Sequence, residues 1–275
     1  MSFSQFKQLV KQTASHIAPD VVSRWQIARE RRHIQHFEQR MGLAELQHTY
    51  LNQHDLCVAD GPFTGMKYLT KSICSALVPK LIGSYEAELH PIITQALEVE
   101  YEIIVDIGCA EGYYANGFAM RLPSATVYAF DIDAEAQKLC LDMAILNSLR
   151  NQVIVSGACD PARLNALLSA RSLVICDCEG YEEDLLRPDL VPALAQTDIL
   201  VELHDHIKPG VTLLLQQRFS GTHQSVLITA VQRNPEDYPR LLLSDAGSRQ
   251  LAVSEFRPEN QQWAFFQANA HSVAV

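Results

Sequence analysis

The stretch VDIGCAEGYYANGFA, residues 105–119, decides the fold, because it joins a buried strand, a glycine-containing turn and a helix in one run. Such a turn is where a doubly wound α/β sheet binds its ligand. Gly108 lets the chain turn without a Cβ clash, and Gly112 lets the helix N-terminus approach a bound cofactor. Asp106 can hydrogen-bond an amine beside the turn. Ala110 replaces the middle glycine of the dinucleotide fingerprint, which makes pyrophosphate binding less favoured.

From Glu102 onward, short apolar runs alternate with helical segments. The runs occupy residues 102–108, 125–133, 152–158, 172–180, 198–205, 225–231 and 263–268. The first five are separated by segments long enough for a crossover helix, such as residues 134–147. This alternation predicts an α/β fold with a doubly wound, seven-stranded, mostly parallel sheet. The last two runs suit an antiparallel pair.

The N-terminal part of the chain follows a different pattern. Residues 1–55 and 67–99 carry helical spacing, and the loop-forming stretch ADGPFTGM, residues 59–66, lies between them. We therefore divide the chain into an N-terminal helical extension, residues 1–80, and a cofactor-binding domain, residues 81–275. The extension is expected to form a mobile lid or a homodimer contact.

Composition and charge exclude several classes of protein. The 275 residues carry 22 Lys and Arg against 32 Asp and Glu, a net charge of −10. This acidic balance disfavours nucleic acid or an anionic membrane as a partner. No apolar stretch approaches the roughly 18 residues of a membrane span, so a cytoplasmic location is expected. The seven scattered cysteines favour reduced thiols over a disulfide framework.

A second acidic residue follows the second strand. Asp131 ends the run ATVYAFD and lies 23 residues after Gly108 (131 − 108). An acid at this place can accept hydrogen bonds from both hydroxyls of an adenosine ribose. Asp133 is predicted instead to cap the helix that begins at Ala134.

These motifs resemble those of class I S-adenosylmethionine-dependent methyltransferases with a Rossmann-like fold, and most of all the FkbM-like family. The resemblance covers the chain from about residue 84 onward. The family's Asp-x-Gly-Ala-Asn-x-Gly-Tyr-Tyr motif is met by residues 106–114, except that Cys109 and Ala110 replace its Ala-Asn. Its Asp-x-Glu-Gly-x-Glu run is matched in full by residues 177–182.

The resemblance implies that the protein binds S-adenosyl-L-methionine and uses it to methylate a small-molecule acceptor. The implied cofactor-binding residues are Glu86, Asp106, Gly108, Gly112, Asp131 and Ala158. In this set Glu86 binds the cofactor amine and Ala158 lies near the adenine. Methylation of an oxygen is expected over methylation of a nitrogen.

Polar side chains also gather at the carboxyl ends of strands four and five, the edge where sheet ligands bind. Asp177 and Glu179 share a face if the fourth strand persists, and Glu202 and His204 recur at period two in the fifth. We assign Asp177, Glu202 and His204 as the catalytic residues, with His204 as the base. The same three, or Asp205 in place of His204, are candidate ligands for Mg²⁺ or another divalent metal. A hydrogen-bonded pair that merely ends the strand is the structural alternative.

Two other functions fit part of this pattern. An NAD(P)-dependent oxidoreductase shares the strand, turn, helix and acid, but the missing middle glycine and the Asp-x-Glu-Gly run count against it. A non-catalytic S-adenosylmethionine-binding protein would keep its affinity for the cofactor, and Asp177→Ala or His204→Ala would change no turnover. Near the C-terminus, Arg257 is expected to form a surface ion pair or to bind an anionic group of the substrate.

Overall fold

The computed structural model describes residues 40–73, 75–169, 171–238, 245–257 and 260–269. The chain divides into two compact units, Met1–Thr49 and Tyr50–Val275. The helical spacing predicted for residues 1–39 lies outside the described residues. All strands named here belong to the second unit.

The second unit is built on one sheet of seven strands. They are β1 (Ile103–Ile107), β2 (Thr126–Phe130), β3 (Val153–Ser156), β4 (Ser172–Cys176), β5 (Asp198–Leu203), β6 (His223–Thr229) and β7 (Gln262–Ala268). Their order in the sheet is β3-β2-β1-β4-β5-β7-β6. The first five strands are parallel, whereas β7 is antiparallel to both β5 and β6. The prediction of a seven-stranded, mostly parallel sheet with a late antiparallel pair is confirmed.

The described residues also form helices, most of which connect consecutive strands. In chain order they are α1 (Leu43–Leu51), α2 (Leu77–Ile82), α3 (His90–Leu97), α4 (Tyr113–Arg121), α5 (Ala134–Leu146), α6 (Pro161–Leu167), α7 (Glu182–Leu185), α8 (Val211–Phe219) and α9 (Ala246–Ala252). Short 3-10 segments occupy Ala87–Leu89, Pro192–Gln196 and Pro235–Asp237. Within the described ranges, no helix combines the length and the apolar character that crossing a membrane requires.

The strand order reverses between β1 and β4, and this reversal positions the site. From β1 the chain moves outward through β2 and β3, then returns to β4 on the other side of β1. Every residue of β4 and β5 is buried, as is typical of parallel strands covered on both faces. The carboxyl ends of the strands at such a reversal form the crevice where sheet ligands bind. The ends of β1, β4 and β5 therefore meet at one place.

The loop predicted at residues 59–66 is confirmed. Cys57 and Lys67 flank it and pair as an antiparallel bridge. Phe63 within the loop is fully buried, and its ring packs edge-on against Tyr113 of α4 with 5.3 Å between the centroids. The loop is therefore fastened to the helix that follows the β1 turn.

The prediction of a helix over residues 67–99 is wrong for its first part. The residues that the structure describes between positions 67 and 76 are not helical. The physical reason is that the carboxylate of Glu111 accepts hydrogen bonds from groups in this segment. Its carboxylate accepts a hydrogen bond from the backbone N–H of Ile73 at 2.9 Å and from the hydroxyl of Ser72 at 2.8 Å. The domain boundary placed after residue 80 stays a prediction.

Candidate functional site

The turn after β1 is shaped by two glycines with positive φ angles. Gly108 has a φ of 83°, and a Cβ there would lie 1.6 Å from the backbone oxygen of Asp177. Gly112 has a φ of 89°, and a Cβ there would lie 2.6 Å from the Sγ of Cys140. A side chain at either place would be strained and obstructed. The two glycines thus let β1 approach the end of β4 and let α4 approach α5.

Asp106 lies in β1, two residues before the first of these glycines, and is only 2% exposed. Burial raises the pKa of its carboxyl to about 8; a backbone hydrogen bond from Ala115 opposes this, and the negative charge of Asp177 adds to it. Its Oδ2 is buried and has no hydrogen-bond partner among the described residues. An unsatisfied buried acceptor is costly, so Asp106 offers a place for a donor such as an amine.

Asp131 follows β2 and contacts the turn. Its carboxylate oxygens accept hydrogen bonds from the backbone N–H of Ala110 at 3.0 Å and of Asp133 at 2.8 Å. Burial raises the pKa of Asp131, and these two hydrogen bonds oppose the shift. Asp133 accepts a hydrogen bond from the N–H of Glu135 at 3.0 Å, which confirms that it caps α5. The Asp131 carboxylate is therefore fixed at the sheet edge beside the turn.

The other two residues predicted to bind the cofactor have different surroundings. Ala158 is exposed, two positions beyond the end of β3. Glu86 is fully buried, and its carboxylate accepts a hydrogen bond from the Tyr114 hydroxyl and pairs with Arg257. Burial raises the pKa of Glu86, and Arg257 opposes that rise. Both oxygens of Glu86 already have partners within the protein, and its contact with a cofactor amine stays a prediction.

Arg257 comes from the C-terminal segment and joins three carboxylates. It pairs with Glu86, with Glu202 at 2.7 Å and with Glu255 at 3.2 Å. The expected surface ion pair is thus a largely buried network, because all three acids lie inside the protein. Burial raises the pKa of Glu202, and the charge of Asp177 adds to this effect. Burial likewise raises the pKa of Glu255, to about 7.

His204 follows β5 directly and is 2% exposed. Its Nδ1 lies 2.8 Å from Oε1 of Glu182, which is fully buried. The same oxygen accepts hydrogen bonds from the backbone N–H of Gly180 at 3.1 Å and of Cys178 at 3.3 Å. Burial alone would lower the pKa of His204, but the hydrogen bond with Glu182 and the charge of Asp177 raise it. The imidazole is therefore held in one orientation.

Two carboxylates lie close to the other ring nitrogen. Nε2 of His204 lies 3.5 Å from Oδ1 of Asp177 and 3.6 Å from Oε2 of Glu179. All three potential ligand atoms lie within 4.8 Å of one another. Because β4 ends at Cys176, Asp177 and Glu179 belong to the following loop and do not share a strand face. Glu202, which pairs with an arginine, lies outside this group.

Two further buried acids shape the site, although the sequence analysis assigned neither of them a role. Glu182 completes the Asp-x-Glu-Gly-x-Glu run, and this position was the signal that could have identified it as the partner of an imidazole. Glu111 is paired with the buried Lys80 and accepts a hydrogen bond from the Tyr68 hydroxyl at 2.6 Å. Burial alone would raise the pKa of Glu111, but Lys80 and the hydrogen bonds lower it. Through these contacts, Glu111 holds Tyr68, Ser72, Ile73 and Lys80 next to the β1 turn.

A cavity of about 320 Å³ opens beside the end of β5. Its lining includes Asp205, His206, Thr212 and Asn260. The ring centroid of His206 lies 5.6 Å from that of His204. The cavity adjoins the converging side chains through His206, although none of Asp177, Glu179 and His204 lines it, and it has the size of a small-molecule site.

No protein-family model and no curated protein matches the sequence. Solved structures with a similar fold include the precorrin-6Y C5,15-methyltransferase of Geobacter metallireducens GS-15, with 13% identity and a TM-score of 0.44 over 64% of this chain and 87% of that one. The C-terminal domain of the Rhodobacter capsulatus precorrin-6Y C5,15-methyltransferase has 16% identity and a TM-score of 0.43, over 64% and 85%. M. jannaschii TYW2 in complex with AdoMet has 14% identity and a TM-score of 0.42, over 66% and 75%. At such low similarity, the chemistry of the site has to be argued from its own side chains.

Proposed function

We propose that this protein is an S-adenosylmethionine-dependent methyltransferase that methylates an oxygen of a small-molecule acceptor. The observation that carries the proposal is that two groups of side chains meet at one edge of the sheet. The turn after β1 offers Asp106, with its unsatisfied buried oxygen, and Asp131. The ends of β4 and β5 offer Asp177 and His204. Since β1 and β4 are neighbours in the sheet, the two groups lie side by side.

The residues on the cofactor side fit the chemistry of S-adenosylmethionine. Asp106 can accept a hydrogen bond from the cofactor amine, because its buried Oδ2 has no other described donor. Asp131 can accept hydrogen bonds from the ribose hydroxyls, because its carboxylate is fixed at the tip of β2. The assignment of Ala158 to the adenine, and of the chain to the FkbM-like family, rests on the sequence resemblance.

The acceptor side supports a small polar substrate. The cavity beside β5 has a volume of about 320 Å³ and a lining that includes an imidazole, a hydroxyl and an amide. The net charge of −10 argues against nucleic acid and anionic membranes as substrates. A cytoplasmic location, and a homodimer formed through the N-terminal extension, stay predictions that accompany this proposal.

Different residues of the chain would have different roles in methyl transfer. When bound, S-adenosylmethionine supplies a methyl group on a positively charged sulfur. Asp177 and Glu202 would orient the acceptor hydroxyl in line with that methyl group. Nε2 of His204 would accept the proton that the acceptor hydroxyl loses when it is methylated. Glu182 keeps the proton of the neutral imidazole on Nδ1, which leaves Nε2 able to accept.

Calorimetric titration with S-adenosylmethionine, S-adenosylhomocysteine and NAD(H) tests the proposal. We expect the first two to bind the wild-type protein. Asp131→Asn should weaken both by at least roughly tenfold, because hydrogen bonds to a charged group contribute about 1.5–3 kcal/mol. Asp133→Asn is the matched control: it removes a charge from the same loop but keeps the helix cap, since Asn caps as well as Asp. It should bind as tightly as the wild type.

Other outcomes of the same titration point elsewhere. Binding of NAD(H) alone would favour the oxidoreductase, and binding of none of the three would overturn the proposal. If S-adenosylmethionine binds but Asp177→Ala and His204→Ala leave every measured turnover unchanged, the protein binds the cofactor without catalysis.

A further inference from the structure

The side chains that converge beyond β4 and β5 have the arrangement of a metal site, with a membership that the sequence did not predict. Asp177 and His204 belong to it, whereas Glu202 is held by Arg257 and Glu179 occupies the third position. We propose that Asp177, Glu179 and His204 bind a divalent transition-metal ion and leave a fourth coordination position open.

The imidazole of His204 is held in a fixed orientation. Glu182 is fully buried, and its Oε1 lies 2.8 Å from Nδ1 of His204. Two backbone N–H groups, those of Cys178 and Gly180, hold that oxygen in place. A metal-binding histidine commonly donates its second ring N–H to a carboxylate in this way, which fixes the tautomer and increases the basicity of the ligating nitrogen.

The three potential ligand atoms lie close together. Nε2 of His204 lies 3.5 Å from Oδ1 of Asp177 and 3.6 Å from Oε2 of Glu179. These distances exceed the roughly 3.2 Å limit of a good N–H···O hydrogen bond. Ligands about 2.1 Å from a tetrahedral ion are separated by roughly 3.4 Å, which is close to both distances. Two of the three separations therefore fit ligands placed around an ion, and the two carboxylate atoms lie within 4.8 Å of each other.

One oxygen of Asp177 is also unsatisfied. Oδ1 of Asp177 is buried, although the side chain as a whole is 33% exposed, and it has no hydrogen-bond donor in the described part of the chain when the neighbouring Glu202 is ionised. A buried carboxylate oxygen without a donor is unfavourable, and buried charges are normally paired or bound to a metal. It faces the buried imidazole of His204, which is only 3% exposed. An ion between the two would satisfy both.

The loop after β4 is bent in a way that brings the third ligand to this place. Glu179 has a φ of 54°, which is unfavourable for a residue with a side chain, and Gly180 has a φ of 98°. A Cβ on Gly180 would lie 2.9 Å from Cγ2 of Ile207, so the loop packs closely on the segment after β5. The strained conformation of Glu179 directs its carboxylate to the imidazole instead of continuing the strand.

The ligand set selects the class of ion. One imidazole and two carboxylates suit zinc, iron or manganese better than Mg²⁺, which prefers an octahedral shell of oxygen atoms and water. The role of the ion rests on the proposed function: an acceptor oxygen could occupy the open position and be polarised there. His204 would then act as a ligand, and the metal would take over activation of the acceptor hydroxyl.

Titration of the full-length protein with Co²⁺, followed by visible absorption, tests the site. Tetrahedral Co²⁺ absorbs strongly in the visible range and octahedral Co²⁺ weakly, so the spectrum reports both binding and geometry. We expect saturation at one ion per chain with a tetrahedral spectrum. Glu179→Gln should weaken binding by at least tenfold, and Glu182→Gln should weaken it by about 10- to 100-fold, as is usual for a partner of a metal-bound histidine.

Two control variants make the result specific. Glu183→Gln removes a carboxylate from the same segment that pairs with Lys208, and it should bind Co²⁺ like the wild type. Cys178→Ser tests for a thiolate ligand, because Sγ of Cys178 lies only 3.6 Å from Oε1 of Glu182. A spectrum unchanged by Cys178→Ser supports the proposed ligands. An octahedral spectrum, equal affinities of the wild type and Glu179→Gln, or loss of binding in Cys178→Ser would overturn them.

A parallel titration with S-adenosylhomocysteine separates this proposal from the proposed function. Glu179→Gln should bind S-adenosylhomocysteine like the wild type, because its change lies on the acceptor side. Co²⁺ binding without any affinity for S-adenosylhomocysteine would support the metal site and overturn the methyltransferase. The opposite result would overturn the metal site and leave His204 as the proton acceptor.

Discussion

The turn after β1 and the side chains at the ends of β4 and β5 lie at the same edge of the sheet but are built in different ways. The turn depends on backbone contact, since a Cβ on Gly108 would lie 1.6 Å from a backbone oxygen. The second region depends on side chains from distant segments, such as Arg257, which pairs with Glu202 across 55 residues of sequence. Substitution and pH should therefore affect the two regions differently.

Gly108→Ala should cause the largest loss of stability, because the added Cβ meets backbone that cannot move away. We expect the free energy of unfolding to fall by more than about 4 kcal/mol, or the protein not to fold. Gly65→Ala is the matched control: its φ is 91°, but nothing lies within 4 Å of the added Cβ. There only the backbone strain of about 1–2 kcal/mol should remain. Urea denaturation measures both, and equal losses would contradict the account.

Arg257→Met should disrupt the side-chain region, by about 3–5 kcal/mol at pH 8, because it leaves Glu86 and Glu202 buried without their cation and leaves Glu255 paired with Arg233 alone. Burial already raises the pKa of all three, that of Glu255 to about 7. A pKa raised by folding stabilises the protein at low pH, and this contribution is lost as the pH rises through the folded-state value.

The loss caused by Arg257→Met should therefore shrink as the pH falls below about 7, since Glu255 is then protonated and the raised pKa values of Glu86 and Glu202 favour their neutral forms. The loss caused by Gly108→Ala should not recover. Denaturation at pH 5 and pH 8 makes the comparison. Arg187→Met, which breaks an exposed pair with Asp189, should change stability little at either pH. A loss from Arg257→Met that is the same at both pH values would contradict the electrostatic account.

The protonation of the Asp106 carboxyl should depend on the charge of the ligand bound at the turn. Burial raises its pKa to about 8, so its carboxyl is mostly protonated at pH 7 in the unliganded protein. A cationic amine would lower that pKa, and binding of S-adenosylhomocysteine should then release up to one proton at pH 7 and less at pH 9. Calorimetry in buffers of different ionisation enthalpy counts the protons. Asp106→Asn should abolish the release, and a wild-type enthalpy that is independent of the buffer would contradict this role.

The smallest expected effect concerns the middle of the turn. Ala110 has a φ of 48°, a left-handed conformation that Asn tolerates better than other residues with side chains. Ala110→Asn should raise the free energy of unfolding by about 0.5–1 kcal/mol. Ala110→Val should lower it, because a β-branched residue is strongly disfavoured there. Thermal unfolding of the two variants should show shifts of opposite sign.

The parts of the fold set by local pattern could be predicted from the sequence. The seven strands follow from short apolar runs, and the cap of α5 follows from the position of Asp133 before the helix. The helix expected from residue 67 does not form there, because the carboxylate of Glu111, far along the chain, takes the N–H of Ile73. That competition depends on tertiary contact and has no local sequence signal.

The candidate site also has a part that could be predicted from the sequence and a part that could not. Asp106 and Asp131 lie next to the turn because Asp106 is near the end of β1 and Asp131 directly follows β2. The third member of the cluster was predicted as Glu202, since alternation along β5 carries it toward the same edge. The structure places Glu179 there instead, because β4 ends at Cys176 and the loop turns through a left-handed residue. Partners of buried charges, such as Arg257, arise from packing of distant segments and are not encoded in spacing.

The most direct test of the account is a crystal structure of the protein with S-adenosylhomocysteine. We expect the ribose hydroxyls within hydrogen-bond distance of Asp131, the amine beside Oδ2 of Asp106, and the sulfur directed toward His204. Such a structure would join the backbone-built turn and the side-chain cluster in one reaction. A ligand bound elsewhere, or bound at the turn with its sulfur directed away from His204, would contradict the central claim.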